Sequence, residues 1–138
     1  MNIYFSGSIR GGRDDAHIYK EIILYLRKFG RVLTEHVGDE SLKSTGEISK
    51  DNQAIHDRDL ELLLESDIII AEVTNPSLGV GYEIAKAIEY KKKVFCIYRN
   101  LDNKPISAMI LGSSDLICFE YSDLDSLKDY LESNLSVT

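Results

Sequence analysis

The chain has 138 residues, 43% apolar and 28% charged, which fits one ordinary soluble globular domain able to bury its own core without staples. A net charge of −7 excludes a broad nucleic-acid-binding face, which would need clustered cations, but leaves room for one small anion held by local donors. No apolar run approaches the length of a membrane span and the apolar start Met1-Asn2-Ile3-Tyr4-Phe5 has no basic leader, so a cytoplasmic protein, with nuclear entry by diffusion open to it, is expected.

Ile3–Ser6 reads as a first strand, followed by the loop Gly7-Ser8-Ile9-Arg10-Gly11-Gly12. His17–Phe29 has helical spacing, with Ile18, Ile22, Leu26 and Phe29 on one stripe, and Gly30 stops it. Arg31–Leu33 is a second strand. The polar stretch Gly38–Lys50 carries no clear pattern. Asp51 can cap a helix reaching about Glu65, with Ile55, Leu60, Leu62, Leu63 and Leu64 as its apolar face.

Asp67–Val73 is a third strand, and its unbroken apolar centre Ile68-Ile69-Ile70-Ala71 points to burial on both faces of a parallel sheet. The loop Thr74–Gly79 leads into a helix through Glu83, Ala87 and Tyr90. Lys93–Tyr98 and Leu116–Glu120 complete the strands, and Asp123 caps a last helix, Leu124–Leu135. Repeated strand–helix alternation predicts a doubly wound five-stranded parallel sheet of flavodoxin-like or Rossmann-like order 2-1-3-4-5, with helices on both faces, in a single domain spanning 1–138. Its ligand crevice should lie at the carboxyl ends of strands one and three.

Two loops fall there. In Gly7–Arg13, glycines allow close backbone approach, Ser8 adds a hydroxyl and Arg10 a fixed charge, which suits a phosphate; a plain turn before a helix fits the same residues. In Pro76–Glu83, Ser77 can cap the helix while free N–H groups face the crevice. Glu83 stands about one turn inside, a place a helix dipole also favours for a carboxylate without any function. His56 and Asp59, three residues apart, share one helix side, which a solvated charged face would also explain. His36 falls at a carboxyl end, and Tyr4, inside the first strand, needs a partner for its hydroxyl if buried. Cys96 and Cys118 sit in apolar runs and read as buried reduced thiols without metal-ligand spacing.

Tyr4-Phe5-Ser6-Gly7-Ser8-Ile9-Arg10-Gly11-Gly12-Arg13 resembles the opening of the 2′-deoxynucleoside 5′-monophosphate N-hydrolases, relatives of the nucleoside 2-deoxyribosyltransferases. Leu33-Thr34-Glu35-His36-Val37, Ile55-His56 with Asp59-Leu60-Glu61, Ala71–Thr74 with Pro76–Glu83, and Ser107-Ala108-Met109-Ile110 resemble four further motifs of that family in order. The resemblance implies hydrolysis of the N-glycosidic bond of a deoxynucleoside monophosphate, with Glu83 as nucleophile, Asp59 assisting departure of the base, and Tyr4 holding the nucleophile. It implies a substrate envelope of Gly7, Ser8, Ile9, Arg10, Gly11, His36, Ser77 and Gly79. Ser107 and Met109 would come from the partner subunit of a homodimer with shared sites. No metal or organic cofactor is expected, nor a nucleic-acid or membrane partner.

The chemistry suits those roles. An anionic carboxylate beside C1′ stabilises an oxocarbenium-like transition state and can capture it, and lack of a 2′-hydroxyl makes that cation easier to form. A ribonucleotide CMP-type N-glycosidase and a base-exchanging nucleoside 2-deoxyribosyltransferase share the nucleophile and remain alternatives. A non-catalytic nucleotide sensor would not need Glu83, Asp59 and Tyr4 together. Nothing marks a flavin site for an electron carrier, and the PGGxGT string of cytokinin-type phosphoribohydrolases is absent.

Overall fold

A computed structural model of the chain describes residues 1–9, 15–38, 51–101 and 104–136. Strands β1 (Asn2–Ser6), β2 (Arg31–Val32), β3 (Ile68–Glu72), β4 (Lys93–Tyr98) and β5 (Ile117–Glu120) form one sheet in the order β2-β1-β3-β4-β5. All four pairings are parallel, and Tyr4 lies opposite Ile69, which lies opposite Val94. Around the sheet stand α1 (Ala16–Leu26), α2 (Asn52–Glu65), α3 (Leu78–Glu89), the one-turn α4 (Ala108–Leu111) and α5 (Leu124–Leu135). This is the expected doubly wound sheet.

Side chains alternate strictly between two cores, as the pleat requires. Ile3, Phe5, Ile68, Ile70, Phe95 and Ile97 pack against α1 and α5, whereas Tyr4, Ile69, Ala71, Val94 and Cys96 pack against α2 and α3. Tyr4 is therefore delivered to the α2/α3 side by period two alone.

Several boundaries differ from the sequence expectation for local reasons. α1 stops at Leu26, and the next residues tighten into three-residue turns, with the N–H groups of Lys28 and Phe29 donating to Tyr25 and Leu26 carbonyls at 3.1 and 2.9 Å. Its buried stripe is Ala16, Tyr19, Ile22, Ile23 and Leu26, with Ile18 and Phe29 only half-buried. Gly30 is demanded by packing: a Cβ there would stand 2.1 Å from the Met1 carbonyl oxygen. β2 ends at Val32, and the Thr34 hydroxyl then donates to the Phe5 carbonyl at 2.6 Å and accepts from its N–H at 2.8 Å, continuing the ladder through a side chain. On α2 only Leu63 is fully buried and Leu64 is exposed, because three consecutive leucines cannot share a helix face. The segment after β4 makes one helical turn, Ala108–Leu111, capped by Ser107.

Candidate active site

β1 and α3 meet at one contact: the Tyr4 hydroxyl donates to Oε2 of Glu83. Tyr4 is buried, and burial, followed by the negative charges of Glu83 and Asp59, holds its phenol far above the usual range, so it stays a donor. Glu83 is pushed up to about 8, first by burial and then by the Asp59 charge, against the Tyr4 hydrogen bond and the Arg58 cation. The Ser6 hydroxyl lies close enough to favour the ionised carboxyl as well, yet makes no well-aligned hydrogen bond among the described residues. A carboxyl poised near neutral pH, beside a fixed donor and a second carboxylate, marks a candidate reaction centre.

Asp59 stands on α2 facing this pair. Its Oδ1 takes both available bonds, from Arg58 Nε at 3.1 Å and Nη2 at 2.9 Å, which leaves Oδ2 without a hydrogen bond among the described residues. Arg58 Nη2 also lies 3.3 Å from His36 Nε2, so it bridges α2 to the turn Glu35–Gly38. One turn earlier His56 sits with Nε2 3.0 Å from the Tyr82 hydroxyl and Nδ1 2.9 Å from Asp57.

The start of α3 supplies donors. Ser77 Oγ accepts from Val80 N–H at 3.3 Å, while the N–H groups of Leu78 and Gly79 have no partner among the described residues. A Cβ on Gly79 would meet only Ser77 Oγ, at 3.8 Å, so this glycine leaves an open approach to the helix start. Gly7 is constrained differently: a Cβ there would come 2.9 Å from the Tyr19 ring, whose hydroxyl accepts the Ser8 N–H at 3.1 Å.

These groups line a cleft of about 1390 Å³ at the carboxyl ends of β1 and β3. Glu83, Asp59, Gly7, Ile9, Ser77 and Gly79 form its inner wall, and Ser107 and Met109 reach its outer wall from α4 of the same chain, Met109 being 82% exposed. The expected site residues are thus largely brought together. Tyr4 and Ser8 are buried and His36 lies against Arg58, so none of the three lines the cleft, Tyr4 reaching it only through Glu83; Arg10 and Gly11 lie outside the described residues. Sequence reasoning missed Ser6, Arg58 and Asn75. Ser6 was readable, since period two places it on the Tyr4 side of β1 one residue pair further along. No group of three His, Cys, Asp or Glu residues that could hold a metal ion occurs among the described residues, and no helix among them is long and apolar enough to cross a membrane.

A family profile described as nucleoside 2-deoxyribosyltransferase matches residues 3–124. The chain is 49% identical to a 5-hydroxymethyl-dUMP N-hydrolase of Danio rerio over 134 residues, 96% of this chain and 94% of that one. It is 54% identical over 114 residues to a protein of Nematostella vectensis named as a putative 2′-deoxynucleoside 5′-phosphate N-hydrolase, covering 82% of this chain and 78% of that one. Among solved structures, a CMP N-glycosidase of Clostridium botulinum superposes with a TM-score of 0.71 at 16% identity, over 98% of this chain and all of that one, which is a likeness of fold.

Proposed function

The chain belongs to the nucleoside 2-deoxyribosyltransferase family, and from that membership we propose that it hydrolyses the N-glycosidic bond of a 2′-deoxynucleoside 5′-monophosphate, releasing free base and 2-deoxyribose 5-phosphate. The observation that carries the reading is that Glu83, held by the Tyr4 hydroxyl, lines the same cleft as Asp59. Relatives about half identical over most of the chain are named for hydrolysis of such nucleotides, with 5-hydroxymethyl-dUMP in several names.

Glu83, ionised, attacks C1′ as the bond to the base nitrogen breaks, and the electron pair of that bond leaves with the base. Asp59 Oδ2, turned away from Arg58, assists the departing base and then the water that cleaves the glycosyl ester. The Tyr4 hydroxyl fixes one Glu83 oxygen, and so sets which oxygen is presented to the sugar. The 5′-phosphate rests on the Ser77–Gly79 helix start, where free N–H groups and the helix dipole favour an anion. Binding energy from this remote group positions the sugar.

The active unit is a homodimer. Leu78 and Met109 are exposed along the cleft and Leu111 is exposed on the same short helix as Met109, and a second copy seated on this side would cover them and bring Ser107 and Met109 to its neighbour's site. Chromatography of reactions with a panel of dNMPs, 5-hydroxymethyl-dUMP first, then ribonucleotides and free deoxynucleosides, tests the function. Turnover of ribonucleotides alone would overturn the substrate, and base exchange without net hydrolysis would overturn the reaction.

A further inference from the structure

Away from the reacting carboxyls, a second buried charge cluster lies under the loop that starts α3. Arg99, the first residue after β4, holds its guanidinium between two carboxylates. Nη2 pairs with Asp15, and Nε lies 3.8 Å from Glu72 Oε2. Glu72 is fully buried at the end of β3, with Oε1 accepting Thr74 N–H at 2.7 Å and Oε2 accepting the Tyr121 hydroxyl at 2.5 Å. The Arg99 N–H donates to Thr74 Oγ1 at 2.9 Å, and Asn75 Nδ2 donates to Asp15 Oδ2 at 3.1 Å. Asp15 itself ends the loop leading into α1, where its carbonyl takes the Tyr19 N–H at 2.9 Å.

The cluster therefore ties Asp15, at the start of α1, to the loop that runs from β3 through Thr74, Asn75 and Ser77 to α3. Burying two carboxylates around one guanidinium is a poor way to gain stability, because desolvation offsets most of the attraction and apolar residues of similar volume would serve as well. What such a cluster does fix is geometry, since Arg99 Nη2 is bound to Asp15 while the Glu72 carboxylate beside it is held by the Thr74 N–H and the Tyr121 hydroxyl.

We propose that Asp15, Arg99 and Glu72 are positioning residues for the substrate's 5′-phosphate: they fix the β3–α3 loop against Asp15, the cap residue of α1, and so hold the donors at the start of α3 on the anion. None of the three lines the cleft, so they act through Thr74, Asn75 and the helix start behind them. This rests on the monophosphate substrate proposed above.

The test compares Asp15→Asn and Tyr121→Phe with the unaltered enzyme on a deoxynucleoside 5′-monophosphate, on the matching phosphate-free deoxynucleoside, and with inorganic phosphate as competitor. Asp15→Asn removes one charge at constant shape and should lower kcat/KM for the monophosphate about 10- to 100-fold, chiefly through KM. Phosphate inhibition should weaken in parallel, while the slow rate on the deoxynucleoside stays within about threefold. Tyr121→Phe deletes one hydroxyl remote from the cleft and should shift the same discrimination by about three- to tenfold. If Asp15→Asn does not melt cooperatively, Tyr121→Phe carries the test alone. Equal losses on both substrates, or no loss in either folded variant, would overturn the positioning role while leaving the substrate reading intact. An unaltered enzyme that prefers the free deoxynucleoside would overturn both.

Discussion

Replacing Tyr4 by Phe should move the acidic limb of the pH–rate profile upward. The substitution deletes the O–H that donates to Glu83 and leaves the ring in its slot against Leu63, Ile69, Val80 and Ile84. As the proposed nucleophile Glu83 must be ionised to attack, and burial already holds its pKa at about 8, so activity in the unaltered enzyme should rise with pH through that value. The Tyr4 hydrogen bond favours the ionised form. A hydrogen bond to a charged acceptor contributes about 1.5–3 kcal/mol, and a tenfold change in proton affinity is about 1.4 kcal/mol, so its loss should raise the Glu83 pKa by about one to two further units. At pH 7 kcat/KM then falls about 10- to 100-fold from ionisation alone, and the loss shrinks as pH increases. Tyr4 adds no titration of its own, because its phenol is held far above the accessible range. The assay is kcat/KM from initial rates across the range from pH 5 to about 10, which reports groups of the free enzyme. A limb that stays in place or moves to lower pH would refute the reasoning, since it would mean the phenol does not stabilise the carboxylate.

Much of the site was legible because it depends on two periodicities. Period two along β1 put Tyr4 on the side opposite Ile3 and Phe5, and helical spacing put His56 and Asp59 on one side of α2. The unbroken run Ile68–Ala71 announced a central strand, which set the crevice beside β1 and β3. What escaped depends on distance in sequence. Arg99 meets Asp15 across 84 residues, and neither residue carries a pattern that names the other. Arg58 reads in the sequence as one more charge on an exposed helix, yet in the fold its Nε and Nη2 both bind Oδ1 of Asp59. The α1 stripe differs from the expected one because Tyr19, not Ile18, meets Phe5 edge-on at 5.6 Å and its hydroxyl accepts the Ser8 N–H. A hydrophobicity count does not see a phenol with a partner.

Three further outcomes are expected. Glu83→Ala should abolish turnover while nucleotide binding, which rests on the phosphate, stays within about tenfold by calorimetry; near-normal turnover would remove Glu83 as nucleophile. Inactive Glu83→Ala and Ser107→Trp proteins, mixed and allowed to exchange subunits, should partly recover activity, because each heterodimer would hold one site with both defects and one with neither; no recovery despite confirmed exchange would count against shared sites. The last concerns stability. The Glu83 pKa is raised from 4.5 to about 8 in the folded protein, so between those values the folded chain binds more protons than the unfolded one. Stability must therefore fall as pH rises through this window, by a total of about a few kcal/mol at most, and stay low above it. A neutral amide of the same shape carries no such penalty. Glu83→Gln should thus melt about 2–8 °C above the unaltered protein at pH 9, by scanning calorimetry of ligand-free samples. The gap should close towards pH 5, where the native carboxyl is protonated too. A gap that widens towards acid, or a variant less stable at pH 9, would show that the carboxylate is well solvated or paired in the fold. The reaction centre would then lack the strained anion on which the proposed chemistry depends.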